Sequence, residues 1–110
     1  MGNEVATPSK QDILTFVTHL AERICGGQAL LPSLREIQDS LAAHPMAAVA
    51  GDVADAVEGG KTLSDAMAQQ PGVFNEAVVA LVRGGEVAGL LDHILALIVE
   101  CSWRYPGKVV

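Results

Sequence analysis

Apolar positions recur every three or four residues along this chain, in short blocks separated by glycine and proline. In the first block Ile13, Phe16, Val17, Leu20, Ala21 and Ile24 form one stripe, with Glu22 and Arg23 outside it. That spacing is the signature of an amphipathic helix. Ser9 followed by Asp12 supplies a capping-box start. Breaks fall at Gly26-Gly27, His44-Pro45, Gly59-Gly60, Pro71-Gly72, Gly84-Gly85 and Tyr105-Pro106-Gly107, which divide the chain into six blocks.

The second block, residues 30–43, has Pro32 near its first turn and Leu34, Ile37 and Leu41 on one face. In the third, Met46, Val49, Ala50, Val53, Ala54 and Val57 make another stripe, Asp52, Asp55 and Glu58 lie on another face, and Gly59 is expected to end the helix in the left-handed conformation. Thr62, three residues before Asp65, caps a two-turn helix through Leu63, Ala66 and Met67. Asn75 caps a fifth block, residues 76–83, whose Val78, Val79, Leu81 and Val82 suit a strand by propensity but are read here as helix. The sixth, residues 88–103, is apolar around most of its circumference, which predicts a central or interface helix. No segment alternates with a period of two. The expected fold is all-α, an antiparallel six-helix bundle spanning residues 9–104, with a flexible segment at 1–8 and a tail at 105–110.

Composition agrees with that pattern. Half of the 110 residues are hydrophobic and only 4% are aromatic, so the core is aliphatic. One domain of this size buries about 65% of its unfolded surface. The formal net charge is −6 and the seven basic residues are scattered, which argues against nucleic acid as a partner. Cys25 and Cys101 have no metal or redox spacing; a reducing setting is expected, with one disulfide left open. The longest internal apolar run, Ile94 to Val99, is far short of the about 20 residues a spanning helix needs, so the chain reads as soluble.

Catalytic chemistry finds little to build on. His19, His44 and His93 fall in three different blocks, and no nucleophile motif surrounds either cysteine. Gly84-Gly85-Glu86-Val87-Ala88-Gly89 lacks the preceding strand, the lysine and the glycine spacing of a nucleotide loop and reads instead as a tight helix corner. There Glu86 lies just ahead of the last helix, whose N-terminal N–H groups favour a carboxylate. Asp52, Asp55 and Glu58 read as a solvated face, with a divalent cation there or at Glu86 as the less favoured reading. The expectation is no enzyme, no cofactor and no metal.

Two stretches carry a resemblance. Val57-Glu58-Gly59-Gly60-Lys61-Thr62-Leu63-Ser64-Asp65-Ala66-Met67 with Val73-Phe74, and Val82-Arg83-Gly84-Gly85-Glu86-Val87-Ala88-Gly89-Leu90-Leu91-Asp92, resemble the signature segments of the type II secretion system F domain. Phe16, Leu20 and Ala21 match its Phe-x-x-x-Leu-Ala, and Gly27, Leu30, Leu31 and Leu34 match the segment that follows. Thr18-His19, Ala29, Ala88 and Leu90 depart from the pattern, and Pro32 stands three residues beyond the family's proline.

The resemblance implies a six-helix cytoplasmic domain of the inner-membrane platform protein of type II secretion and type IV pilus machines. It implies architectural roles for Phe16, Leu20, Gly27, Gly60, Leu63, Ser64, Phe74, Gly85, Glu86, Gly89, Leu91 and Asp92. Gly85 and Gly89 would let the last two helices approach, and Glu86 would satisfy N–H groups at the turn. The partners it implies are the cytoplasmic assembly ATPase and other inner-membrane components, with membrane contact only through segments outside this chain, as a tail at Tyr105-Pro106 leading to a membrane helix would suggest. The apolar last helix adds the expectation of a homodimer. The competing class is a free-standing soluble adaptor or regulator with the same fold.

Overall fold

In the computed structural model, which describes residues 8–41 and 44–105, each helix starts where a side chain or a proline takes care of the first backbone N–H groups, α2 and α6 excepted. Helix α1 (Lys10–Cys25) opens with a reciprocal capping box, Ser9 Oγ accepting from the Asp12 N–H and Asp12 accepting from the Ser9 N–H. The others are α2 (Leu30–Ser40), α3 (Pro45–Glu58), α4 (Leu63–Ala68), α5 (Glu76–Ala88) and α6 (Leu91–Arg104). No strand occurs among the described residues. His44 caps α3 through Nδ1, which accepts from the Met46 N–H at 3.1 Å, and its Nε2 lies 3.3 Å from Asp12, tying the starts of α3 and α1 together. Thr62 Oγ1 accepts from Asp65 N–H at the start of α4, and Asn75 Oδ1 from Val78 N–H at the start of α5. The fifth block is therefore helical, as its cap implies and against its valine content.

Helix ends use glycine in one repeated way. At the ends of α1 and α3, Gly27 (φ 92°) and Gly60 (φ 101°) take the left-handed conformation one position beyond the cap. Gln28 N–H bonds back to the Arg23 carbonyl, and Lys61 N–H to that of Ala56. These are Schellman closures, which a side chain at the glycine position would strain. The reversal expected at Gly59 falls one residue later: the φ of Gly59 is −79°, and Gly60 makes the turn because the six-to-one bond requires the residue after the cap to reverse.

Helix α1 packs against α2, α3 and α6; α2 packs on α3, α3 on α4, α4 on α5, and α5 on α6. The circuit from α1 through α3, α4, α5 and α6 back to α1 encloses one core. Phe16, Leu20, Leu34, Ile37, Val53, Leu63, Val82, Leu95 and Ile98 lie in it, each at most 1% exposed. Phe74, in the turn before α5, reaches in against Phe16 with ring centroids 5.9 Å apart and planes tilted by 47°.

Three sequence expectations need correction here. The second helix ends at Ser40, because the chain turns at Leu41, whose N–H bonds back to the Ile37 and Gln38 carbonyls; residues 42 and 43 lie outside the described residues. Helix α5 runs unbroken through Gly84 and Gly85 to Ala88. Of the central and interface alternatives for the last helix only the central one is overturned: among the described helices α6 meets only α1 and α5, buries Leu95, Ile98 and Ser102, and leaves Leu97 and Trp103 about half exposed. The segment 1–7 and the tail 106–110 also lie outside the described residues.

Candidate functional site

The two signature segments meet where α4 begins. No helix satisfies its first four N–H groups internally, and in a helix of six residues these are most of the donors, so outside acceptors matter more there than in a long helix. Thr62 takes the Asp65 N–H. Glu86, near the end of α5, takes the next: its Oε2 accepts from the Ser64 N–H at 3.1 Å and its Oε1 accepts from the Ser64 hydroxyl. Thr62 and Ser64 are also linked, hydroxyl to hydroxyl, at 3.1 Å. A carboxylate at a helix N-terminus is favoured both by these bonds and by the helix dipole. The carboxylate expected to serve the last helix is thus used at α4 instead, because α5 continues past Gly85 and carries Glu86 over the start of α4.

Gly85 and Gly89 do different work. A Cβ at Gly85 would stand 2.7 Å from Ile94 Cγ1 and 2.9 Å from Ile94 Cβ, so only glycine lets α6 come this close. Gly89 has open space at that position but a φ of 73°, and the Leu90 N–H bonds to the Gly85 carbonyl at 2.7 Å. It closes α5 as Gly27 and Gly60 close α1 and α3; its role is the backbone reversal, not the close approach expected of it.

A shallow, open cleft runs over this corner, lined by Ile24, Leu30, Thr62, Leu63, Gly85, Glu86, Gly89, Leu91 and Asp92. Of the twelve motif residues, Leu63, Gly85, Glu86, Gly89, Leu91 and Asp92 line it, and Ser64 adjoins it through Glu86. Phe16, Leu20 and Phe74 lie in the core, while Gly27 and Gly60 close α1 and α3.

The polar groups of the cleft are already engaged. Both Glu86 oxygens serve Ser64. Asp92 Oδ1 accepts from the His93 N–H at 2.8 Å and sits 3.0 Å from His93 Nδ1, and these contacts hold the Asp92 carboxyl below its ordinary pKa. The Cys25 thiol donates to the Asp92 carbonyl at 3.5 Å; Cys25 and Cys101 are both free thiols, so the disulfide left open by the sequence is not formed. Among the described residues no three His, Cys, Asp or Glu side chains are grouped to hold a metal ion.

Ion pairs that the sequence does not reveal engage two of the three acidic residues on α3. Arg35, on α2, bonds to Asp55 at 2.8 Å and also to Glu58, which raises the Arg35 pKa; two members of the stripe are therefore paired across helices while staying exposed, as a solvated face implies. Arg23 meets Glu36 at 3.1 Å, and the Gln28 side chain together with Arg23 lowers the Glu36 pKa. Arg83 meets Asp65 at 3.0 Å. These partners are 13 to 23 residues apart in the chain, beyond the reach of helical spacing.

The profile of the family described as "Type II secretion system (T2SS), protein F" matches residues 16–100. The chain is 35% identical over 85 residues to "Type IV pilus assembly protein PilC" of Myxococcus xanthus, an overlap covering 77% of this chain and 20% of that protein. It is 32% identical to "Type II secretion system protein F" of Xanthomonas campestris pv. campestris, over 89% of this chain and 25% of the relative. It is also 32% identical to "Type IV pilus assembly protein PilC" of Thermus thermophilus, over 93% and 26% respectively. The chain thus spans about a quarter or less of the length of these relatives. No helix among the described residues is long and apolar enough to cross a membrane. With the family match running from within α1 to within α6 and covering both signature segments, the chain belongs to the type II secretion system protein F family.

Proposed function

We propose that this chain is a non-enzymatic interaction domain of an inner-membrane platform component, serving type II secretion or type IV pilus assembly from the cytoplasmic face. It contacts the cytoplasmic assembly ATPase and other components of the inner-membrane machine, and helps couple ATP-driven motion to the addition of pilin or pseudopilin. In this reading residues 9–104 are the folded unit, an antiparallel bundle, and residues 105–110 lead toward a membrane helix outside the chain. Two copies associate through apolar side chains left exposed at α5 and α6, among them Leu81, Leu90 and Leu97.

One observation carries the reading. Among the motif residues Glu86 is committed to Ser64, Asp92 to its neighbour His93, Gly27, Gly60 and Gly89 to helix closures and Gly85 to the approach of α6, so the motif chemistry is architectural and the work is left to surfaces. The names of the relatives supply the machine.

The test is genetic. Deleting residues 9–104 in frame at the native locus should abolish extracellular pili or secreted substrate while leaving pilin synthesis intact. Normal assembly in the deletion strain would refute the proposal. Light scattering on the purified chain should give twice the mass of 11.4 kDa, and Leu97→Glu should return it to the monomer.

A further inference from the structure

A second concave surface lies between α1 and α6, meeting the motif cleft where Cys25 bonds to Asp92. From α1 it is lined by Thr18, Ala21, Glu22 and Cys25, which follow i, i+3, i+4, i+7 and so form one helix face. From α6 it is lined by Ala96, Val99 and Glu100, also one face. Its floor is made of small side chains, which let the backbone of an incoming helix come close.

The polar atoms on that floor are turned inward. Thr18 Oγ1 donates to the Leu14 carbonyl at 2.7 Å within α1, and the Cys25 thiol donates to the Asp92 carbonyl. What remains facing outward is apolar surface between two carboxylates, Glu22 on one bank and Glu100 on the other. Glu100 is shared with Arg104 at 3.2 Å on its own helix, and Glu22 has no ion-pair partner among the described residues. Trp103, one turn beyond Glu100, is 55% exposed. An apolar trough with acidic banks on a chain of net charge −6 has a definite complement.

We infer that this groove receives an amphipathic helix of a partner, apolar along one face and carrying Lys or Arg at its edges. A second copy of the chain fits poorly, since matching grooves would set carboxylates against carboxylates. The inference rests on the interaction-domain reading and names the chemistry of one partner; its test uses peptides alone, so it fails separately from the ATPase and secretion experiments.

The probe is a fluorescein-labelled helical peptide of about 18 residues, five turns long, built from Leu, Ala and Lys in amphipathic order. A control peptide carries Glu in place of each Lys. Titration of the purified chain should raise the anisotropy of the Lys peptide saturably and less so as salt increases, and leave the Glu peptide unbound. The double variant Glu22→Lys, Glu100→Lys should weaken binding by about tenfold or more, and Ala96→Trp, which fills the groove, by a similar factor. Circular dichroism on both surface variants checks that the fold is kept. Equal binding by the chain and its variants, or no binding at millimolar protein, would overturn the proposal. So would a dimer that Ala96→Trp splits, which would give the groove to a second copy.

Discussion

The Glu86 carboxylate, near the end of α5, accepts from both the backbone N–H and the hydroxyl of Ser64 at the start of α4, 22 residues earlier, and so joins the two signature segments. Ser64 is buried and Glu86 half-buried, so removing the carboxylate strands the Ser64 N–H and leaves its hydroxyl with Thr62 alone. Glu86→Ala is expected to cost about 1–3 kcal/mol in urea unfolding. Ser64→Ala, which keeps the backbone bond, should cost less. A double-mutant cycle should give a coupling of at least about 0.5 kcal/mol, and strict additivity would mean that the hydroxyl–carboxylate bond contributes nothing.

Adjacent glycines in α5 should respond with opposite signs. Gly84 lies mid-helix, and a methyl group added there would meet nothing within 4 Å, so Gly84→Ala should stabilise by about 0.5–1 kcal/mol through backbone entropy. At Gly85 the same change drives a methyl to 2.7 Å from Ile94, and a loss of about 1–3 kcal/mol is expected. Thermal melts of the two variants side by side are sufficient to check the difference in sign.

Phe16 and Phe74 bind the turn before α5 to α1. Phe16 is 1% exposed, and Phe16→Ala leaves a cavity that costs about 3–5 kcal/mol, a large share of the about 5–15 kcal/mol expected for a small domain. Denaturant titration should find this variant close to unfolding. Phe16→Leu, which retains most of the volume, should retain a clear cooperative transition.

Acid should weaken the fold through Asp12. Its carboxyl is held below the ordinary value chiefly by the Ser9 N–H, with the Ser9 hydroxyl and His44 adding to the effect. Because the folded state binds this proton less readily than the unfolded chain, the stabilisation is complete above the ordinary carboxylate range and is lost as pH falls through the lowered folded value. Asp92 and Glu36 contribute with the same sign. Unfolding free energies measured from neutral pH downward should show a shallower acid slope in Asp12→Asn than in the parent chain.

Helical spacing makes most of this architecture legible. The caps at Ser9, Thr62 and Asn75 and the stripes of α1 and α3 follow from local rules, because a helix is closed by residues within four positions of its ends. Gly84-Gly85 reads as a break in sequence because a glycine that ends a helix and one that admits a neighbouring helix look alike until Ile94 is placed. Glu86 has the task its position suggests, but at a different helix, and for the same reason: its acceptor role depends on α4 packing against α5, which no local spacing encodes. The Arg35 pairs with Asp55 and Glu58 are invisible on similar grounds. The α1–α6 groove has one trace in sequence, the surplus of apolar positions on the last helix, which signals an interface without saying where.

The central claim is that this domain works by contact, and a calorimetric titration of the purified chain with the assembly ATPase of the same cell tests it most directly. Saturable binding is expected, surviving Ser64→Ala and weakened by charge reversals on exposed helix faces that leave the fold intact. No heat of binding at concentrations up to the millimolar range, or binding untouched by charge reversal on every exposed face, would contradict it.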